Sequence, residues 1–300
     1  MKCIILYFSQ SGNTKKIARA IHKGMHPLVE RCDLIPIERA APRDLSVYDL
    51  VGIGSPTRSG PPPHLRRFIQ AIPRQPGKHA FIFYTHGVLF RRFLPAAVRL
   101  LAKRGFTVIG AKNWYGSVHH PLFPTPYLTD GHPDEIDLAD AENFGRGLPE
   151  ISRRILSGEA QLVPPIPPLP PPRTMKRIVP EKRLNPQKCR YPRCTLCMDN
   201  CPMKVIDLSV SPPVFPKRCQ PCFFCEMICP EGAIEIDYEP HSRLEVKRAR
   251  TIFVKVLDRA EAEGTFRRLV PVEKVGWETP FYKAFSKHPR WVIPQDDIEE

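Results

Sequence analysis

Apolar and polar positions along the first half of the chain change period several times, and each change predicts an element. Short apolar runs rich in β-branched and aromatic residues occupy 3–8, 32–37, 50–54, 80–84 and 106–111 and read as strands. Between the first two, Ile17, Ile21 and Met25 recur four apart, the spacing that puts apolar side chains on one helix face. The stretches 65–72, 92–104 and 135–156 predict three more helices. Short apolar strands separated by helices make a parallel sheet covered on both faces, an α/β fold.

Past residue 158 this alternation stops. Pro164-Pro165-Ile166-Pro167-Pro168-Leu169-Pro170-Pro171-Pro172 can form neither a helix interior nor a central strand. As an extended polyproline helix rising roughly 3.1 Å per residue it reaches about 28 Å, a semi-rigid strap between domains. A ligand for a proline-reading domain is the alternative. The segment 184–240 contains an internal echo, Cys201-Pro202-Met203-Lys204-Val205-Ile206 against Cys229-Pro230-Glu231-Gly232-Ala233-Ile234, as expected of a pseudo-symmetric unit. In 241–300 one amphipathic stretch sets Ile252, Phe253, Val256, Leu257 and Ala260 on one side. The expected division is therefore 1–158, a Pro-rich basic linker 159–183, a cysteine-rich domain 184–240 and an extension 241–300 of unassigned role.

Composition sharpens the picture. Three hundred residues suit two domains. No stretch approaches the roughly 18 apolar residues of a membrane span. The apolar start Met1–Phe8 breaks at Ser9-Gln10-Ser11-Gly12 without a small-residue cleavage site. It reads as a first strand rather than a signal peptide, so a cytoplasmic location is expected. The net charge of +14 is unevenly spread: no acidic residue falls between Asp49 and Asp130. That interval carries Arg58, Arg66, Arg67, Arg74, Lys78, Arg91, Arg92, Arg99, Lys103, Arg104 and Lys112. Such a face attracts an acidic partner, and the charge alone also suits an anionic membrane surface. Nucleic acid is not expected, because binding it needs aromatic platforms interleaved with the basic residues. The aromatics here, such as Phe81, Phe83 and Phe106, hold core-like positions.

Eight of the ten cysteines fall between Cys189 and Cys229. In a chain expected to stay in a reducing compartment this points to metal rather than disulfides. Cys219-x2-Cys222-x2-Cys225-x3-Cys229-Pro230 is the bacterial ferredoxin run, in which three thiolates hold one [4Fe–4S] cluster and the fourth reaches the other. The upstream run Cys189-x4-Cys194-x2-Cys197-x3-Cys201-Pro202 keeps the spacing except for two extra residues in its first gap, which can be looped out. The crossing rule assigns Cys189, Cys194, Cys197 and Cys229 to one cluster and Cys219, Cys222, Cys225 and Cys201 to the other. Zinc also takes paired thiolates, but nothing in a zinc site requires this run twice. Residues 184–238 thus resemble a two-cluster bacterial ferredoxin, a small α+β domain whose task is one-electron relay.

The first strand runs into Ser9-Gln10-Ser11-Gly12-Asn13-Thr14, which opens a helix, a place where hydroxyls and free amides can hold a phosphate. Neither the P-loop ending nor the dinucleotide Gly-x-Gly-x-x-Gly is present. Gly54-Ser55-Pro56-Thr57-Arg58-Ser59-Gly60 follows the third strand and Thr85-His86-Gly87 the fourth. Together the three loops resemble the flavodoxin family over residues 1 to about 158. That resemblance implies a doubly wound sheet of order 2-1-3-4-5 binding FMN. Ser9, Ser11, Gly12, Asn13 and Thr14 would hold the phosphate. Ser55, Pro56, Thr57, Arg58, Ser59 and Gly60 would border the isoalloxazine, with Thr85, His86 and Gly87 on the other side. Arg58 stands where an aromatic is common; Trp114 or Tyr115 could supply a ring. His86, His119 and His120 are candidate proton donors by their ordinary pKa. Cys3 and Cys32, on the first two strands, read as small core residues.

The two halves joined, with Gly116-Ser117-Val118-His119-His120 and Gly131-His132-Pro133-Asp134, make the chain similar to the flavodoxin–ferredoxin fusions called ferrodoxins. The resemblance implies an electron carrier relaying between FMN and two [4Fe–4S] clusters, linking a low-potential donor to a partner redox enzyme, with an acidic redox protein as the expected partner. The rival is an FMN-dependent oxidoreductase reducing a quinone or flavin, with the clusters as its internal wire.

Overall fold

The structure, a computed structural model, describes residues 1–57, 60–88, 91–171, 180–210, 215, 219 and 221–293. Arg58, Ser59, the end of the proline run and the acidic C-terminus lie outside the described residues. Two compact units are present, 1–117 with 131–172, and 118–130 with 173–300.

The first unit is built on five parallel strands, β1 (Lys2–Tyr7), β2 (Arg31–Pro36), β3 (Leu50–Thr57), β4 (His79–His86) and β5 (Thr107–Tyr115), in the order β2-β1-β3-β4-β5. This is the flavodoxin-like doubly wound sheet. Strand side chains alternate between two cores, as the pleat requires. Ile4, Leu6, Ile82 and Tyr84 enter one, with Leu65 and Ile69 of α2 (Pro63–Ala71) and Phe93, Ala97 and Leu101 of α3 (Phe93–Ala102). Cys3, Ile5, Phe81 and Phe83 enter the other, with Ile17 and Ile21 of α1 (Asn13–Met25) and Ala141 and Leu148 of α4 (Glu135–Leu156). Every predicted strand and helix is present, but β3, β4 and β5 run two to four residues beyond their predicted ends. There they carry polar and aromatic residues that hydrophobicity does not mark but ladder pairing continues through.

α1 and α4 pack closely because each offers a glycine. A Cβ on Gly145 would stand 2.2 Å from the Ile21 carbonyl oxygen, and one on Gly24 2.0 Å from that of Glu142.

The described part of the proline run belongs to this unit. Arg99 donates to the carbonyls of Pro95 (2.8 Å) and Pro167 (3.1 Å), and Arg92 donates to Pro170. Pro167 and Pro170 are three apart, the polyproline repeat, so one edge of the run is fastened to α3.

The second unit contains the short antiparallel pair β6 (Arg183–Leu184) and β7 (Ile234–Glu235) and two one-turn helices, α5 (Leu196–Asp199) and α6 (Phe224–Met227). Residues 118–130, which a linear reading places in the first domain, fold here. Phe281 N–H donates to Phe123 O (2.8 Å), Thr125 N–H to Thr279 O (2.9 Å) and Gly276 N–H to Pro126 O (2.9 Å). The extension supplies α7 (Glu239–Arg248), a π-turn over Ala249–Phe253, α8 (Val254–Ala262) and α9 (Phe281–Ala284). Of the predicted apolar stripe, Phe253, Leu257 and Ala260 are buried, whereas Ile252 and Val256 are exposed. The π-turn adds a residue to its turn and rotates the frame, so the 3.6 period does not carry through it.

Candidate functional site

In the first unit β1 delivers the chain to Gly12, whose left-handed backbone (φ 87°) opens α1. A Cβ there would be strained. No side chain caps α1 and its first turn holds no carboxylate. Its leading amides and the positive end of its dipole are therefore left for an anion. α4 shows the opposite arrangement. Asp134 accepts from the amides of Ile136 (3.1 Å) and Asp137 (3.2 Å), and Asp137 accepts from the amide of Asp134 (3.0 Å). The Gly131-His132-Pro133-Asp134 segment is thus the cap of α4, with His132 Nδ1 2.5 Å from Asp137 Oδ2.

The loops converge through specific bonds. Buried Thr14 meets Thr85, hydroxyl to hydroxyl, at 2.7 Å. Asn13 Nδ2 donates to the Ser117 carbonyl at 2.8 Å. These contacts sit at the carboxyl ends of the strands, beside the point where the strand order reverses, the place where such sheets bind ligands. Ser55 is fully buried and donates to Pro56 O (3.0 Å), while Thr57 donates to Gly60 O (3.1 Å). Sequence reasoning passed over Asn113 and took Ser117 only as part of the 116–120 segment. Only the β4–β5 register, which sets His86 against Tyr115, places them at this end of the sheet.

His86 has Nε2 2.7 Å from Asn113 Oδ1, and its ring centre lies 4.5 Å from that of Tyr115. Burial, outweighing that hydrogen bond, pushes its pKa down to about 4. Burial thus disfavours its charged form, which sets it apart from the ordinary proton donor expected. His119 and His120 belong to the second unit, where His120 packs on Phe123 and Phe223. Trp114 is a core residue, buried against Phe144 with Nε1 donating to Asp140 (2.9 Å), whereas Tyr115 alternates to the His86 side. Cys3 and Cys32 face each other in register, and burial pushes both thiols up to about 12. Hydroxyls, uncapped amides and an aromatic ring, with no carboxylate in the described parts of the three loops, fit a flavin mononucleotide.

In the second unit Cys189, Cys194 and Cys197 line one open cavity together with Cys229 from the other half of the repeat. The long first gap is absorbed as expected: Arg190 to Arg193 are exposed, and Cys194 N–H returns to Arg190 O at 3.2 Å. Burial, then the neighbouring Cys229, Cys189 and Cys194, push the Cys197 thiol up to about 11. Cys225 lies beside Cys222 and Cys219 and shares an apolar cluster with Cys201. None of the ten cysteines is joined in a disulfide. Two dense thiol sets with few other ligand types fit iron–sulfur clusters. Donors that reach the sulfurs include Ala233 N–H to Cys229 Sγ (3.3 Å) and Lys182 Nζ to Cys219 Sγ (3.1 Å).

Part of the basic interval lies on and around α2 and α3, while Lys112 sits on β5 beside α4. Arg66 and Arg67 are exposed on α2, with Arg74, Arg91 and Lys103 also exposed nearby in sequence. Arg104 donates to Gln70 O (3.2 Å) and Lys78 to Tyr48 O (2.7 Å). Bonds to carbonyls fix these side chains without neutralising them. Two other bases of the unit are paired with carboxylates of α4, Lys23–Glu142 (2.8 Å) and Lys112–Asp140 (2.6 Å).

The arrangement defines a flavodoxin domain joined in one chain to a cysteine-rich unit, and residues 4–92 match the flavodoxin domain family. Uncharacterized protein MJ0298 of Methanocaldococcus jannaschii is 30% identical over 153 residues, which is 49% of this chain and 98% of that protein. The chain belongs to the family of that protein. Uncharacterized ferredoxin MJ0199 of the same organism is 36% identical over 53 residues, 17% of this chain and 86% of that protein. Among solved structures, the two-electron reduced flavodoxin of Megasphaera elsdenii aligns at 18% identity and a TM-score of 0.40, over 51% of this chain and 99% of that one. Among the described residues no helix is long and apolar enough to cross a membrane.

Proposed function

We propose that the chain is an electron-transfer flavo-iron–sulfur protein holding FMN in the first unit and two [4Fe–4S] clusters in the second. The observation that carries it is the meeting of Cys229 with Cys189, Cys194 and Cys197 around one cavity, the crossing that a two-cluster ferredoxin run requires. The likeness of part of the chain to an archaeal ferredoxin supports the same reading. FMN exchanges one or two electrons and each cluster one, so the bound groups supply conversion between the two currents.

The chain's own residues do the holding. The α1 amides with Ser9, Ser11, Asn13 and Thr14 bind the phosphate. Ser55 to Gly60 and Thr85 to Gly87 border the ring, and Tyr115 stands beside His86 within the same site. Cys189, Cys194, Cys197 and Cys229 form one quartet, and Cys219, Cys222, Cys225 and Cys201 the other. The α2–α3 side, with exposed Arg66 and Lys103, suits an acidic redox protein.

The test is anaerobic purification with iron and flavin quantified on one sample, followed by reductive titration under EPR and absorbance. Roughly eight iron atoms and one FMN per chain, with two cubane signals, support the reading. One cluster, or no flavin, refutes it.

A further inference from the structure

The two cysteine quartets differ in the charge set against them. At the first, Arg190 lines the cavity but is paired with Glu231 at 2.8 Å, and the donor to Cys229 is the neutral amide of Ala233. At the second, Lys182 places its Nζ 3.1 Å from Cys219 Sγ. The same ammonium lies over the rings of Phe223 (5.1 Å) and Phe215 (5.8 Å). Phe223 is fully buried and adjoins Cys222 and Phe224 at the start of α6. Among the described residues no carboxylate is paired with Lys182. Its charge is held in place by ring faces and a sulfur, and it stays uncompensated.

We propose that Lys182 is a tuning residue that raises the reduction potential of the cluster held by Cys219, Cys222, Cys225 and Cys201 above that of its neighbour. The inference rests on the two-cluster reading. Reduction adds one electron to a cluster and moves no proton, so the reduced state carries one more negative charge. A fixed positive charge and a charge-assisted N–H···S bond favour that state, and hydrogen bonds to the sulfurs and net charge are the protein's principal levers on cluster potential. Ala233 offers the first quartet only a neutral donor. The two clusters therefore differ in potential despite near-identical ligand runs, and an electron entering the pair rests on the Lys182 side.

The holoprotein tests this by EPR-monitored potentiometric titration of wild type, Lys182→Met and Lys182→Arg, with the second quartet's signal identified as the one altered by Cys222→Ser. Methionine keeps an apolar stem against the rings but removes the charge; arginine keeps the charge. In Lys182→Met the reduced-to-oxidised ratio of that cluster falls about tenfold at the wild-type midpoint, equivalent to ~59 mV for a one-electron couple. The other cluster and the flavin hold their midpoints, and Lys182→Arg stays near wild type. Equal shifts in both clusters, no shift with methionine, or the same loss with arginine overturns the proposal while leaving two clusters in place. A wild-type protein without two cubane signals removes the reading beneath it as well, and the iron content separates the two failures.

Discussion

The hydroxyls of Thr14 and Thr85 are 2.7 Å apart in a buried pair that ties the first residues of α1 to the end of β4. One threonine belongs to the expected phosphate loop and the other to the loop expected on the flavin's far side. Replacing Thr85 with valine leaves the Thr14 hydroxyl buried without this partner, at a cost of about 1–3 kcal/mol. Urea unfolding of the flavin-free protein should show that loss. Flavin fluorescence titration should show weaker FMN binding in the same variant, and unchanged binding would refute the loop assignment.

Cys229 follows Cys225 in sequence but shares its cavity with Cys189, Cys194 and Cys197. Cys229→Ser and Cys194→Ser should therefore lose the same EPR signal, and Cys222→Ser a different one. If Cys229→Ser and Cys222→Ser abolish one common signal, the crossed assignment is wrong.

Buried histidines of the first unit make its stability depend on acid, His79 among them, its pKa also lowered by burial. Burial pushes His64 and His86 down to about 4 from an ordinary value near 6.5, and neither ring nitrogen of His64 has a hydrogen-bond partner. Because the folded pKa lies below the unfolded one, the unfolded chain takes up protons first. Their contribution is complete above pH 6.5 and is lost as pH falls toward 4. Urea midpoints measured from pH 7.5 to 4.5 should drop across that window. His64→Phe should flatten part of the slope, and an unchanged slope would count against the burial argument.

Gly145 lets α4 lie against α1, with Ile21 O where a Cβ would need to be. Gly145→Ala should destabilise the protein by about 1–3 kcal/mol through overpacking, despite alanine's better helix propensity. Thermal unfolding of the variant checks the sign, since a rise in Tm would mean the helices can separate at no cost.

The layer order of the first unit was legible because each strand is an apolar run and each helix a 3.6-residue stripe, and these periods are local. The π-turn at 249–253 was not legible. It breaks the period without any glycine or proline to mark it, and so Ile252 and Val256 face outward.

The eight cysteines and their spacing were settled by the sequence alone, since thiolate chemistry and tight loop lengths leave few alternatives to iron–sulfur clusters. The chain also fixed by itself the acid-free basic interval. Only tertiary structure decided that 118–130 folds with the cysteine-rich unit, that Trp114 is core while Tyr115 stands by His86, and that Lys182 rather than Arg190 brings an uncompensated charge to a sulfur. Each depends on which residues distant in sequence meet, through strand register or side-chain packing, and a single sequence encodes that meeting only through the fold.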